Sequence, residues 1–183
     1  QLCLMLCEES YKLKDYIDKI YVYCDKVNTS CSYIDVSKYD YIEFIIGDYT
    51  DQDKIIEIAN KCDVITYEFE SFNTKVFELE DGIKNKVLPS IDFLKIVQDK
   101  YKQKRFINNN ITFFENTSFE EVNCYNDLIN FIDKHNYPVF LKSRFGAFDG
   151  RGNFLIKDIN DLNNFKNIES NVYFVENFIN FDK

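Results

Sequence analysis

The stretch Leu141-Lys142-Ser143-Arg144-Phe145-Gly146-Ala147-Phe148-Asp149-Gly150-Arg151-Gly152-Asn153 concentrates the residue types that hold phosphate. The chain has 5 glycines, and Gly146, Gly150 and Gly152 all fall inside this segment. Glycine takes positive φ and lets backbone N–H groups approach a ligand closely. Lys142, Arg144 and Arg151 add cations, and Asp149 is the single acid. Backbone donors and cations in one loop are the chemistry of a phosphate cradle. The spacing is neither the G-x-x-x-x-G-K-[ST] of a P-loop nor the G-x-G-x-x-G of a dinucleotide site. The same composition also suits an ordinary surface hairpin with a basic tip, and pattern alone does not choose between them.

The flanks must position such a loop. Tyr137-Pro138-Val139-Phe140-Leu141 and Asn153-Phe154-Leu155-Ile156-Lys157 each read as a short apolar strand, so the loop joins a hairpin. Upstream, residues 1–14 read as a helix buried on more than one side, with Cys3 and Cys7 sharing a face. Runs at Ile20–Cys24, Tyr41–Ile46, Asp63–Tyr67 and Val87–Ser90 read as strands, alternating with helices at Asp51–Cys62 and Phe72–Leu79. That alternation predicts a parallel α/β sheet, whose ligands gather at the carboxyl ends of the strands, where Asp25, Glu68 and Ser90 fall. Asp92–Asn109 reads as one polar helix connecting two units. Beyond it, a strand at Ile111–Phe114, a helix at Asn126–His135, the hairpin, a helix at Asp158–Phe165 and a strand at Val172–Val175 make an α+β unit. The expected organisation is thus a Rossmann-like domain over 1–91, a connector over 92–110 and a small α+β domain over 111–183.

Composition narrows the chemistry. With 183 residues, 45% hydrophobic and 17% aromatic, the chain can build a substantial core. A net charge of −9 argues against a nucleic-acid or anionic-membrane binder, which needs a basic face. The 6 cysteines form no C-x-x-C pair and the only histidine is His135, so zinc spacing is absent. Scattered cysteines fit a reducing, cytoplasmic compartment without disulfides. No apolar run approaches the roughly 18–20 residues of a membrane-spanning helix. His135, between Lys134 and Asn136, reads as a surface residue at a helix end rather than a general base.

Gly47-Asp48-Tyr49-Thr50-Asp51, Cys62-Asp63-Val64-Ile65-Thr66-Tyr67-Glu68-Phe69-Glu70, Pro89-Ser90, Gln98-Asp99-Lys100 with Gln103-Lys104, Leu141-Lys142-Ser143-Arg144, Phe148-Asp149-Gly150-Arg151-Gly152-Asn153-Phe154 and Val175-Glu176, together with Gln1-Leu2, stand in an order that resembles one family. It is the 5-(carboxyamino)imidazole ribonucleotide synthase family of ATP-grasp enzymes, which forms the amino-terminal part of fungal and plant phosphoribosylaminoimidazole carboxylases. The resemblance implies a pre-ATP-grasp Rossmann-like domain followed by an ATP-grasp lid. It also implies MgATP-dependent carboxylation of 5-aminoimidazole ribonucleotide by bicarbonate, through carboxyphosphate, in purine biosynthesis. Other ATP-grasp ligases, such as a formate-dependent ribonucleotide transformylase or a biotin carboxylase, and a non-catalytic nucleotide-binding remnant, are the alternative readings.

Position by position, the resemblance implies that Lys100 and Lys142 contact ATP phosphates and that Ala147, Phe148, Asp149, Gly150, Arg151, Gly152 and Asn153 close over the triphosphate. Glu176, Asn177, Phe178 and Ile179 match the hinge that holds adenine. Asp149 and Arg151, the candidate catalytic residues, match positions near the ribonucleotide, as do Glu68 and the Gln1-Leu2 pair; Thr29 or Ser30 matches a family serine loosely. Cys3-Leu4 replaces the family's Gly-Arg, Phe148 its tyrosine and Ala147 its first loop glycine. The family's opening strand and glycine run are not seen before Gln1, and its magnesium-binding acids belong to a carboxy-terminal half beyond Lys183. Both ends therefore read as cut. Mg2+ is expected with no ligand in this chain, the complete enzyme is expected to be a homo-oligomer, and residues 1–183 alone are expected to be inactive.

Overall fold

The computed structural model describes residues 2–25, 38–68, 70–113, 116–146 and 150–180. The chain forms two compact units, Gln1–Leu94 and Lys95–Lys183. It is a mixed α/β protein, with a parallel and an antiparallel sheet among the described residues.

In the first unit, α1 (Leu2–Glu9) passes into a 3-10 segment, Ser10–Tyr16. Parallel strands β1 (Ile20–Cys24) and β2 (Ile42–Ile46) pair in register from Ile20↔Ile42 to Cys24↔Ile46. Cys7 packs with Val22, Tyr39 and Ile42, and Cys3 lies against the same cluster. The expected burial of the first helix on several sides is not observed: Leu2, Met5 and Leu6 are each more than half exposed. One side, made by Cys3, Leu4 and Cys7, is what this helix turns to the core.

After β2, Asp51 caps α2 (Gln52–Asn60) by accepting from the Lys54 N–H at 3.0 Å. Its face of Ile55 and Ala59 packs on Val76, Phe77, Ile83, Val87 and Ile91. The expected strands at Asp63–Tyr67 and Val87–Ser90 are reduced to one parallel bridge, Ile65↔Val87. Pro89, which has no N–H to donate, immediately follows the bonded Leu88, and no further ladder bond follows it among the described residues. The expected helix at Phe72–Leu79 is a 3-10 turn, Thr74–Glu78, followed by the short α3 (Asp81–Lys84).

The expected single connector helix is two. α4 (Ile91–Val97), whose N-terminus Ser90 caps through Phe93 N–H at 3.2 Å, stops before Gln98. α5 (Lys100–Asn110) starts afresh because Asp99 accepts from the N–H groups of Tyr101 and Lys102 at 3.1 and 3.3 Å. Ile111 closes α5 through its N–H to Ile107 O, and residues 111–113 form no strand; Phe114, the rest of the expected strand, lies outside the described residues.

The second unit holds an antiparallel sheet of order β3-β6-β4-β5: β3 (Phe119–Val122), β4 (Val139–Ser143), β5 (Asn153–Ile156) and β6 (Tyr173–Asn177). Strand β3 has no sequence signal of its own. Its Phe-Glu-Glu-Val stretch is an edge strand held by pairing with β6. The expected helix at Asp158–Phe165 is a short α7 (Ile159–Leu162) and a 3-10 turn.

Period-two alternation gives this sheet two unlike faces. Val122, Val139, Leu141, Ile156 and Val175 turn one way and pack with Leu128, Phe131 and Ile132 of α6 (Tyr125–His135). Phe131 alone, fully buried, contributes roughly 1.5–3 kcal/mol by leaving water. The other face carries Glu121, Phe174, Glu176, Phe140 and Lys142, as the register Glu121↔Phe174, Phe140↔Glu176 and Lys142↔Phe174 requires.

Candidate functional site

Helix α5 lies across that second face. Tyr101 packs edge-on against Phe119 at 5.9 Å and tilted against Phe174 at 6.0 Å. Two charge clusters flank this aromatic contact.

The first centres on Glu176, buried at 7% exposure. One carboxylate oxygen accepts from Lys142 on β4 and the other from Lys104 on α5. Lys104 also donates to Thr117 Oγ1 at 2.7 Å. Burial, the largest influence on this carboxyl, pushes its pKa up, but the two ammoniums together outweigh it and hold it below the ordinary value. Glu176 is therefore an anion on a strand that otherwise buries apolar groups. Lys142 and Lys104 are only half-buried. The sequence reading places Lys142 and Glu176 at the site but not Lys104. Its signal was the Gln103-Lys104 step of the quoted motif, one helical turn beyond Lys100.

The second cluster centres on Arg144, at 5% exposure, and Asp99, at 1%. Arg144 Nε and Nη2 donate to the two Asp99 oxygens at 3.0 and 2.5 Å, and Nη1 donates to Glu121. Hydrogen bonds and charge from Asp99 hold the guanidinium cationic against the cost of burial. Read from sequence, Arg144 counts among the cations of a phosphate loop. The structure corrects that reading, because the guanidinium is consumed by internal carboxylates.

Lys100 follows Asp99 and is tied in through its N–H to Arg144 O at 3.0 Å. Beyond Arg144 the glycine loop begins. Gly146, Gly150 and Gly152 have φ of 66°, 76° and 75°, which only glycine adopts without strain. Ser143 N–H donates to Gly152 O at 2.8 Å and closes the base of the loop next to Lys142. Arg151 is exposed and Asn153 begins β5. Ala147, Phe148 and Asp149 lie outside the described residues, as do Gln1, Thr29 and Ser30. At the end of β6, Phe178 packs on Phe140 with ring centroids 5.6 Å apart, Ile179 is exposed, and Asn177 keeps a buried Oδ1 without a protein partner. His135 lies half-buried against Phe131 at 4.3 Å.

In the first unit, the strand ends gather a smaller group. Tyr23 hydroxyl donates to Asp48 O at 2.8 Å, and Gly47 gives it room: a Cβ there would sit 2.3 Å from the Tyr23 hydroxyl oxygen. Asp48 accepts from Thr50 N and Oγ1, both at 2.7 Å, which lowers its pKa. Tyr49 rests on Tyr23 at 6.0 Å, and burial followed by the charge of Asp25 raises its pKa, with Glu68 a weaker contributor. Glu68 is exposed, and Leu2 lies on the exposed side of α1. Ser90, expected at a ligand edge, is used as the cap of α4.

Residues 1–98 match the ribonucleotide synthetase preATP-grasp domain, and residues 109–183 match the ATP-grasp domain. The chain belongs to the ATP-grasp ribonucleotide synthetases. It is 34% identical over 119 residues to phosphoribosylaminoimidazole carboxylase of Candida albicans, covering 63% of this chain and 21% of that protein. It is 32% identical over 142 residues to N5-carboxyaminoimidazole ribonucleotide synthase of Staphylococcus aureus, covering 77% of this chain and 37% of the other. The crystal structure of N5-carboxyaminoimidazole synthetase from Staphylococcus aureus complexed with ADP superposes with a TM-score of 0.74 at 27% identity, over 97% of this chain and 46% of that one. The synthetase from Thermotoga maritima gives 0.75 at 25% identity, over 98% and 44%. This ribonucleotide synthetase chain thus spans between a fifth and two fifths of those curated relatives.

Proposed function

We propose that this chain supplies the ribonucleotide-facing domain and the nucleotide lid of an ATP-dependent enzyme that carboxylates 5-aminoimidazole ribonucleotide. The observation that carries the reading is the Lys104–Glu176–Lys142 cluster on the sheet face opposite the core, beside a loop whose three described glycines all take positive φ. Phosphoryl transfer asks a protein for position and positive charge rather than for a covalent nucleophile.

In the reaction proposed, a bicarbonate oxygen attacks the γ-phosphorus of ATP and the bond to the ADP oxygen breaks, giving carboxyphosphate. Carboxyphosphate yields CO2 and inorganic phosphate. The exocyclic amine of the ribonucleotide attacks the CO2 carbon and loses a proton, leaving an N-carboxylate. Lys100 and Lys142 neutralise phosphate oxygens, and the loop Ala147–Asn153 excludes water from the transfer. Glu176, Asn177, Phe178 and Ile179 receive the adenine, with the unpartnered Asn177 Oδ1 an acceptor ready for an N–H. Arg151 pairs with the ribonucleotide phosphate as a fork, Asp149 orients the amine, and Glu68, Leu2 and Gln1 serve ribonucleotide binding. Among the described residues there is no group of three His, Cys, Asp or Glu that could hold a metal ion. No helix among the described residues is long and apolar enough to cross a membrane. Magnesium held elsewhere, a cytoplasmic site and a homo-oligomer belong to the same proposal.

The test is product formation by the full-length protein. ADP release should require both bicarbonate and 5-aminoimidazole ribonucleotide, with one ADP formed per N-carboxylated product. Turnover that instead required biotin, or formate with another ribonucleotide, would replace this reading with one of its ATP-grasp alternatives.

A further inference from the structure

We propose that Arg144 is a positioning residue: by fastening Asp99 to the end of β4 it fixes Lys100 and Lys142 relative to one another. The inference rests on the nucleotide-site reading above. Those two lysines come from elements remote in sequence, α5 and β4, and like charges do not hold each other in place. Beside the shared Glu176 contact of Lys104 and Lys142, the elements are linked by the Arg144–Asp99 pair, which joins residues 45 apart.

Every nitrogen of the Arg144 guanidinium is engaged. Nε and Nη2 grip the two Asp99 oxygens at 3.0 and 2.5 Å, Nη1 donates to Glu121, and Asn171 Oδ1 lies 3.5 Å from Nη1. The guanidinium also stacks over the Tyr101 ring at 5.2 Å, and its buried position keeps it from bulk water. It is therefore not a group that meets a triphosphate. What it controls is geometry. Two parallel N–H···O bonds from a planar fork fix orientation as well as distance, which a single ammonium cannot do.

The consequences reach both lysines through short paths. Asp99 is the cap of α5, so its position sets the first turn of that helix, where Lys100 lies. The Lys100 N–H is bonded to Arg144 O at 3.0 Å, and the Arg144 N–H to Val172 O at 2.8 Å, so both ends of the link are pinned to the backbone. Lys142 of β4 stands two residues before Arg144, which directly follows the strand's last residue, Ser143. Movement of Arg144 thus shifts Lys100 away from Lys142 without touching either side chain.

The test is a mutant cycle on MgADP affinity, measured by calorimetry in the full-length protein at low temperature, with folding of each variant confirmed by circular dichroism. Arg144→Lys keeps the positive charge and removes the fork. Asp99→Asn keeps a helix cap of equal quality and removes the charge that the fork grips. Each should weaken MgADP about tenfold, as expected when a binding group is displaced rather than deleted. Combined with Lys100→Met, Arg144→Lys should cost less than about twofold further, because its effect passes through that lysine. Additive losses in the combined variant would overturn the proposal. So would parental affinity in Arg144→Lys and Asp99→Asn despite lowered melting temperatures, which would mark the pair as structural only. A parent that bound no MgADP would instead bring down the nucleotide-site reading, and this inference with it.

Discussion

The two charge clusters on one sheet face differ in what they leave open. Arg144 and Asp99 are closed, with side chains 6% and 1% exposed, and all of the guanidinium nitrogens are spent on carboxylates of the same unit. Lys104 and Lys142, on Glu176, keep 22% and 26% of their side chains exposed. Both clusters place acids and bases in hydrogen-bonding contact, yet only the second can trade its partners for a ligand at modest cost. Burial of a charge demands permanent pairing, because an ion left alone in low dielectric is far costlier than a pair. Half-buried lysines escape that demand, since water can take over the ammonium when the carboxylate or a phosphate departs.

The contrast is sharpest in stability. Arg144→Met leaves Asp99 and Glu121 without their cation, and should destabilise the second unit by about 3–5 kcal/mol. Chemical denaturation should show this as a lowered midpoint. A change below about 1 kcal/mol would place Arg144 in the same class as an exposed pair.

Lys142→Met should invert the pattern. It takes one of two ammoniums from the buried Glu176 carboxylate and leaves Lys104 in place, so stability should fall by less than in Arg144→Met, while ATP binding and turnover fall together. Loss of a charged contact in a closed site is worth roughly 2–4 kcal/mol of transition-state stabilisation. Steady-state kinetics with ATP varied measures it, and parental kinetics would make Lys142 a sheet-surface residue.

Glu176 tests the second cluster through pH. Its folded pKa is lowered below the ordinary 4.5, with burial opposing and the two lysines prevailing. A carboxyl lowered on folding contributes stability that is present above its unfolded pKa and lost as pH falls through its folded one. Glu176→Gln should therefore cost about 1–3 kcal/mol at pH 7. The gap between parent and variant should close as pH falls below about 4.5. Melting curves from pH 7 to pH 3 report this, and a gap independent of pH would mean that charge is not what Glu176 contributes.

The smallest effect on the fold is expected at Arg151, which is exposed. Arg151→Ala should shift the melting temperature less than any substitution above and raise the Michaelis constant for the ribonucleotide more than that for ATP. An effect on ATP alone would assign the loop to the nucleotide only.

Much of this was legible from residue types. The glycine loop, the β4 and β5 hairpin, β6 and α6 follow from local signals: glycines, apolar alternation and helical periodicity. The first two strands and α2 were equally plain. What failed was local signal overruled by context. Asp63–Tyr67 and Val87–Ser90 look like strands but share one bridge, and Phe119–Val122 looks like nothing in particular yet is a strand because β6 pairs with it. The break between α4 and α5 was visible in Asp99, a good cap residue, but a polar stretch with continuous helical periodicity masked it.

The sequence by itself determined which residue types were available: a basic glycine loop, two lysines with motif spacing, an acid after an apolar strand, and the alternation that sends Val139 and Leu141 to one face and Phe140 and Lys142 to the other. Tertiary structure alone decided how the charges are shared. Arg144 and Lys142 sit two residues apart, and nothing in their spacing distinguishes a buried clamp from an open contact. The difference arises because α5 brings Asp99 over one and Lys104 beside the other, and pairing between groups remote along the chain is set by packing geometry rather than by local sequence.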